Sequence, residues 1–154
     1  MHRPLKKYIG RNEIYKNGDA TVYKCKRKLD GKVFIMKETA VSGSNDDHTK
    51  AEAALMQMIN SPYVMRADEI YVHNHKLYII LEYMDGNEIT KIIDDFHQYY
   101  TREFKKYTLY CAAKGLEAMH KLSILHRDIK SDNIFCSSDG KIVIADLGAS
   151  VSLT

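Results

Sequence analysis

The dipeptide Asp30-Gly31 stands between two β-prone runs, Thr21-Val22-Tyr23-Lys24-Cys25 and Val33-Phe34-Ile35-Met36-Lys37. Asp-Gly and Asn-Gly adopt the backbone angles a tight hairpin requires, so this spacing commits the first third of the chain to antiparallel strands. Asn17-Gly18 repeats the signal just before the Thr21 run. A second strand pair is predicted over 69–72 and 77–81, turning at His73-Asn74-His75. Between the pairs, Ser42-Gly43-Ser44-Asn45-Asp46-Asp47 supplies N-cap residues. Ala51, Ala54, Leu55, Met58 and Ile59 then recur at helical spacing, with Pro62 just past the helix end.

Asp85-Gly86-Asn87 breaks the pattern and reads as a linker. A long helix is predicted from Thr101, with Phe104, Thr108, Ala112, Gly115, Leu116 and Met119 on one face. Gly115 weakens that helix. The last hairpin pairs Ile134-Phe135-Cys136 with Ile142-Val143-Ile144 around Ser137-Ser138-Asp139-Gly140. The expected class is α+β. Residues 1–84 are expected to form an antiparallel sheet with one main helix, and residues 85–154 a mainly helical region with a small ribbon.

Composition excludes several functions. In the 154 residues, 23 Lys and Arg face 20 Asp and Glu, a net charge of +3. That balance argues against nucleic acid and against an acidic membrane surface as partners. Lys24-Cys25-Lys26-Arg27-Lys28 is the densest basic run and reads as a solvated strand end. Cys25, Cys111 and Cys136 are an odd number without a CxxC, which supports neither a disulfide framework nor a zinc site. His73 and His75 read as turn residues rather than metal ligands. A signal-peptide core and an apolar run of spanning length are both missing from the sequence, and the expected compartment is the reducing cytoplasm.

The run His126-Arg127-Asp128-Ile129-Lys130-Ser131-Asp132-Asn133 is the most specific in the chain. Asp146-Leu147-Gly148 follows it. Lys37 ends a strand, and Glu52 lies on the helix between that strand and the next. Taken singly, each of these short signals is usually a solvated or turn residue. The octapeptide is different, because four residues recur at fixed offsets. It resembles the protein-kinase catalytic loop H-R-D-L-x-x-x-N, and the other elements resemble that family's V-A-I-K strand, helix glutamate and Asp-Phe-Gly, in family order. Together with Leu77-Tyr78-Ile79-Ile80-Leu81-Glu82-Tyr83-Met84-Asp85-Gly86, they resemble the Ser/Thr kinases of the sterile-twenty-like group and its PAK branch.

The resemblance implies transfer of the γ-phosphoryl group of ATP to Ser or Thr of a protein, with Mg²⁺ as cofactor. Such chemistry needs positioning and charge neutralisation more than covalent catalysis. Lys37 is then the contact to the α/β-phosphates, and Glu52 orients it. Asn133 and Asp146 supply hard oxygens for Mg²⁺. Asp128 accepts the proton of the substrate hydroxyl, and Lys130 stands near the transferred group. By resemblance alone, Leu81 lies beside the adenine, Glu82 and Met84 bond its edge, and Val22, Ile35 and Phe135 sandwich the ring. Glu88 approaches the ribose. An upstream activator or a small-GTPase pathway is implied in the same way.

The pattern departs from the family in three places. Tyr15, Asn17 and Ala20 occupy the three positions of G-x-G-x-x-G-x-V that are glycine, and Gly18 is out of register. A poorer phosphate cover is expected, since glycine lets the backbone approach phosphate. Leu147 replaces Phe. The chain stops at Thr154 with nothing resembling Ala-Pro-Glu, so the apolar face of the long helix is expected to stay partly in water. Two readings stand: a kinase catalytic fragment, or a catalytically inert nucleotide-binding or partner-binding module.

Overall fold

Alternation of buried and half-buried residues along β2 (Ala20–Arg27) and β3 (Val33–Ala40) builds the first sheet. The computed structural model describes residues 4–41 and 46–154, so most of the cap-rich stretch, at 42–45, lies outside the described residues. β1 (Tyr8–Asn17), β4 (Ala67–His73) and β5 (Lys76–Glu82) complete five antiparallel strands in the order β1-β2-β3-β5-β4. On one face Tyr8, Cys25, Phe34, Met36, Tyr78 and Ile80 form a core with Leu5. Tyr8 meets Phe34 edge-on at 5.9 Å, a preferred aromatic geometry. Leu77, Tyr78, Ile79 and Ile80 are all buried, as expected of a strand covered on both sides.

The β4–β5 turn is tighter than the expected three residues. His73 pairs with Lys76, which leaves only Asn74 and His75 in the turn. Both have positive φ, 50° and 56°, as a type I′ turn demands. Likewise, Asn17 pairs with Ala20, so Gly18 and Asp19 make the first turn rather than Asn17-Gly18.

Helix α1 (Asp46–Met58) forms where its spacing predicts, but on a different face. Ala51, Ala54 and Met58 are exposed, whereas Ala53, Leu55, Met56 and Ile59 are buried and Glu52 is half-buried. Of the predicted face only Leu55 and Ile59 are covered. Glu52 lies beside this buried side, and its carboxylate reaches Lys37 on β3.

The chain divides into two compact units, Met1–Ala54 with Arg66–Tyr83 and Leu55–Met65 with Met84–Thr154. The second unit is built on α3 (Arg102–Lys121) and the β7–β8 hairpin (Ile134–Cys136, Ile142–Ile144). Thr101 caps α3, its hydroxyl oxygen accepting the Phe104 N–H at 3.2 Å. Thr108, Cys111, Ala112, Gly115 and Met119 are buried along α3. Cys111 and Ala112 share a core with Ile134, Cys136 and Ile142, and Phe104 packs against it. The face expected to stay partly in water is buried at Ala112, Gly115 and Met119 and half-buried at Phe104 and Leu116, with cover from the hairpin and from α2 (Ile89–Asp95), a short helix with too few turns to show a period. Tyr107, Leu109 and Tyr110 of α3 are exposed.

Asp85-Gly86-Asn87 is not a free linker. Gly86 N–H donates to the Cys136 carbonyl and Cys136 N–H to the Asn87 carbonyl, each at 2.9 Å. A β-carbon on Gly86 would sit 2.8 Å from that Cys136 oxygen, so only glycine fits. Two-residue strands β6 (Ile124–Leu125) and β9 (Val151–Ser152) pair antiparallel and are too short for any sequence signal. No helix of the described residues is long and apolar enough to cross a membrane.

Candidate active site

In the first unit, β-sheet register gathers one set of candidate residues. Val22 lies opposite Lys37 and Ile35 opposite Leu81, and Ile35 and Lys37 are two residues apart on one strand. Directly paired residues and i, i+2 neighbours share a face, so Val22, Ile35, Lys37 and Leu81 stand together on the face opposite the Phe34–Met36 core. Glu52 on α1 receives the Lys37 ammonium at 3.2 and 3.4 Å through its two oxygens. Glu52 is the more covered partner, with 11% of its side chain exposed against 28% for Lys37. A carboxylate held this way aims the long lysine stem that would otherwise sample many rotamers. Glu82 ends β5 on the same sheet.

The first hairpin closes over no glycine triplet. Tyr15 pairs with Val22, Lys16 with Thr21 and Asn17 with Ala20. Its tip is tied down where the Asp19 carbonyl accepts the Ala40 N–H at 3.0 Å. Side chains at 15 and 17 are exposed.

In the second unit, the octapeptide folds as one hydrogen-bonded loop ending in a 3-10 turn at Ser131–Asn133. Asn133, buried at 6% exposure, donates its amide to the Asp128 carbonyl at 2.9 Å and to Asp128 Oδ2 at 3.1 Å. Lys130 Nζ lies 3.5 Å from the same carboxylate oxygen. With Nδ2 committed to Asp128, the Asn133 Oδ1 is the atom left for a cation. His126 is buried, and its Nδ1 accepts the Asp128 N–H at 3.2 Å. Its proton is therefore assigned to Nε2, which donates to the Ala145 carbonyl at 2.9 Å. Ala145 N–H in turn reaches the Asn133 carbonyl at 2.8 Å. These two bonds lock the loop to the strand end that carries Asp146.

Asp146 is exposed, and its Oδ1 accepts the Gly148 N–H at 3.2 Å, while Leu147 is fully buried. Two non-glycine residues flank the chemistry with left-handed backbone, Arg127 at φ 68° and Asp146 at φ 55°. Each such residue costs about 1–2 kcal/mol. The surrounding bonds hold them there, among them Arg127 Nε donating to the Ala149 carbonyl at 2.6 Å. Strain of this kind clusters at working sites.

Phe135 lies half-buried in the middle of β7 and Met84 is buried, both in the second unit. Glu88 bridges to Phe135 through the backbone. A supporting contact escapes the sequence: Thr90 on α2 donates its hydroxyl to Ser131 Oγ at 2.7 Å. Nothing near Thr90 in the sequence signals this, because the two residues lie 41 positions apart.

The donor set fits Mg²⁺, which favours carboxylate and amide oxygens and keeps several waters or phosphate oxygens in its shell. Asn133 Oδ1 and the Asp146 carboxylate are of that type.

Serine/threonine-protein kinase pakA of Dictyostelium discoideum is 28% identical over 153 residues, which covers 98% of this chain and 13% of that protein. Protein kinase 2 of the same organism is 30% identical over 147 residues, covering 90% of this chain and 30% of that protein. The chain therefore spans less than a third of either relative. The protein kinase domain family matches residues 12–154, and the chain belongs to that family.

Proposed function

We propose that this domain transfers the γ-phosphoryl group of ATP to Ser or Thr hydroxyls of a protein substrate. One observation carries the reading: a single six-residue loop fixes Asp128, Lys130 and Asn133 by direct contacts at 2.9–3.5 Å. Asp128 Oδ2 is held by Asn133 and Lys130, so Oδ1 is presented to an incoming hydroxyl as general base. Lys130, half exposed, can follow the moving phosphoryl charge. Asn133 Oδ1 and Asp146 would hold Mg²⁺, whose charge offsets that of the β- and γ-phosphates. Lys37, aimed by Glu52, binds the α- and β-phosphates. Val22, Ile35, Leu81 and Phe135 supply apolar surface for adenine, and Glu82 and Met84 supply backbone groups for its edge.

Serine and threonine are favoured as acceptors by Lys130, two residues after Asp128, and by the class of the relative pakA. A cytoplasmic setting suits three free, buried cysteines. A protein partner is expected rather than a nucleic acid, and the PAK resemblance adds an upstream activator or small-GTPase pathway. The closely paired first hairpin, with Tyr15 and Asn17 at glycine positions of the family pattern, favours the second reading, an inert nucleotide-binding module.

Calorimetric titration of ATP with and without Mg²⁺ tests the nucleotide site. Asp146→Asn should remove most of the metal-dependent gain, and unchanged metal dependence refutes the ligand role. A peptide-library assay on this domain extended to full kinase length then separates the two readings. Asp128→Asn should cost about 10²–10⁴ in rate, with phosphoserine and phosphothreonine as products. Predominant phosphotyrosine overturns the acceptor class, and absence of any transfer leaves the inert module.

A further inference from the structure

The balanced charge of the whole chain hides a local excess. Lys28 N–H donates to the Lys7 carbonyl at 2.8 Å, which brings the 3-10 turn Pro4–Lys7 beside the β2–β3 turn. Lys6, Lys7, Lys26, Arg27, Lys28 and Lys32 thereby collect at one end of the sheet. The acids among them are already engaged: Asp30 and Asp68 by Arg27 at 2.7 and 3.4 Å, and Glu69 by Lys7 at 2.9 Å. Glu82, which pairs with Phe34 at this end of the sheet, is a further acid, and the six cations still outnumber the acids. Lys6, Lys26, Lys28 and Lys32 hold no acidic partner among the described residues.

A second observation is independent of charge. Leu29, at the tip of this turn, is 90% exposed. A lone exposed leucine is ordinary, but this one stands among lysines, and no neighbouring side chain covers it. An apolar tip on a turn rich in lysines has the chemistry of a membrane-surface contact: the lysines meet anionic headgroups and the leucine enters the acyl boundary. Nucleic acid would use the lysines but not the leucine, which cannot stack on bases as an aromatic ring does.

We propose that the β2–β3 turn with Lys6, Lys7, Lys28, Leu29 and Lys32 is a docking surface for an anionic lipid bilayer. Such docking departs from the expectation drawn from net charge, and it is independent of the phosphoryl-transfer reading. Each lysine near an anionic bilayer is worth about fivefold in partition.

Sedimentation with vesicles of phosphatidylserine in phosphatidylcholine, and of phosphatidylcholine alone, tests it. Binding is expected only to the former at about 0.1 M salt, and should be lost near 1 M, where the screening length falls to about 3 Å. The double variant Lys28→Ser with Lys32→Ser should lose roughly 25-fold in partition. Leu29→Ser should lose about tenfold while keeping the salt dependence. All three positions are exposed, and circular dichroism checks that the variants fold. The salt series on the unaltered chain tests the same surface without any substitution. Equal partition onto both vesicle types, no partition onto either, or variants that bind like the parent would each overturn the proposal. So would binding of a single-stranded RNA without binding of vesicles, which would assign the surface to nucleic acid.

Discussion

Replacing Gly115 by Ala sets two physical effects against each other inside α3. Helix propensity alone favours alanine by about 1 kcal/mol in a helix interior. The structure opposes it. A β-carbon at this position would lie 2.8 Å from Ile144 Cδ1 and 2.9 Å from the Tyr63 carbonyl oxygen. The isoleucine methyl can rotate away. The carbonyl cannot retreat freely, because it accepts the Ile144 N–H at 2.8 Å. Overpacking a well-filled core costs about 1–3 kcal/mol, and a fixed backbone partner puts this site in the upper half of that range. The net expectation is a loss of about 1–2 kcal/mol, or roughly 2–8 °C in Tm. Thermal melts of Gly115→Ala are best run beside Ala113→Gly, an exposed position of the same helix that reports the propensity effect by itself. A rise of Tm in Gly115→Ala, matching in size the fall in Ala113→Gly, would show that the close approach carries no energy and that helix propensity alone governs the site.

Two further expectations concern other parts of the chain. Asp30 has its carboxyl held down to about 2, first by the Arg27 guanidinium that bonds it and then by the Lys32 amide. A depressed carboxyl stabilises fully above its unfolded value near 4. Resistance of the β2–β3 turn to acid should therefore fade between about pH 4 and pH 2, as followed by the Lys32 amide signal, and Asp30→Asn should flatten that response. Thr90→Val removes the bond to Ser131 and should cost about 1 kcal/mol. Faster hydrogen exchange at the Asn133 amide, without a change in β3, is the expected signature.

Several elements were legible from local chemistry. Asp30-Gly31 placed the β2–β3 turn, and Thr101 with the spacing of Phe104, Thr108 and Ala112 placed α3 and most of its buried face. The octapeptide from His126 to Asn133 pointed to its own chemistry, because its working contacts close within six residues. Other readings failed where the deciding partner is distant in sequence. Ala51, Ala54 and Met58 look like a core face of α1, yet the side with Ala53, Leu55, Met56 and Ile59 is buried, and Glu52 reaches Lys37, 15 residues away. Asp85-Gly86-Asn87 has the composition of a linker, and Cys136 and Ser138, some 50 positions on, make it a packed edge.

Turns, caps and short motifs are satisfied by neighbours along the chain, so the antiparallel sheet, the long capped helix and the kinase-type loop follow from residue order alone. Packing in three dimensions settled which face of α1 is buried, why position 115 must be glycine, and where the lysines of the first unit gather. Those outcomes depend on groups brought together from separate strands and turns, and a one-dimensional pattern carries the residue types without the distances between them.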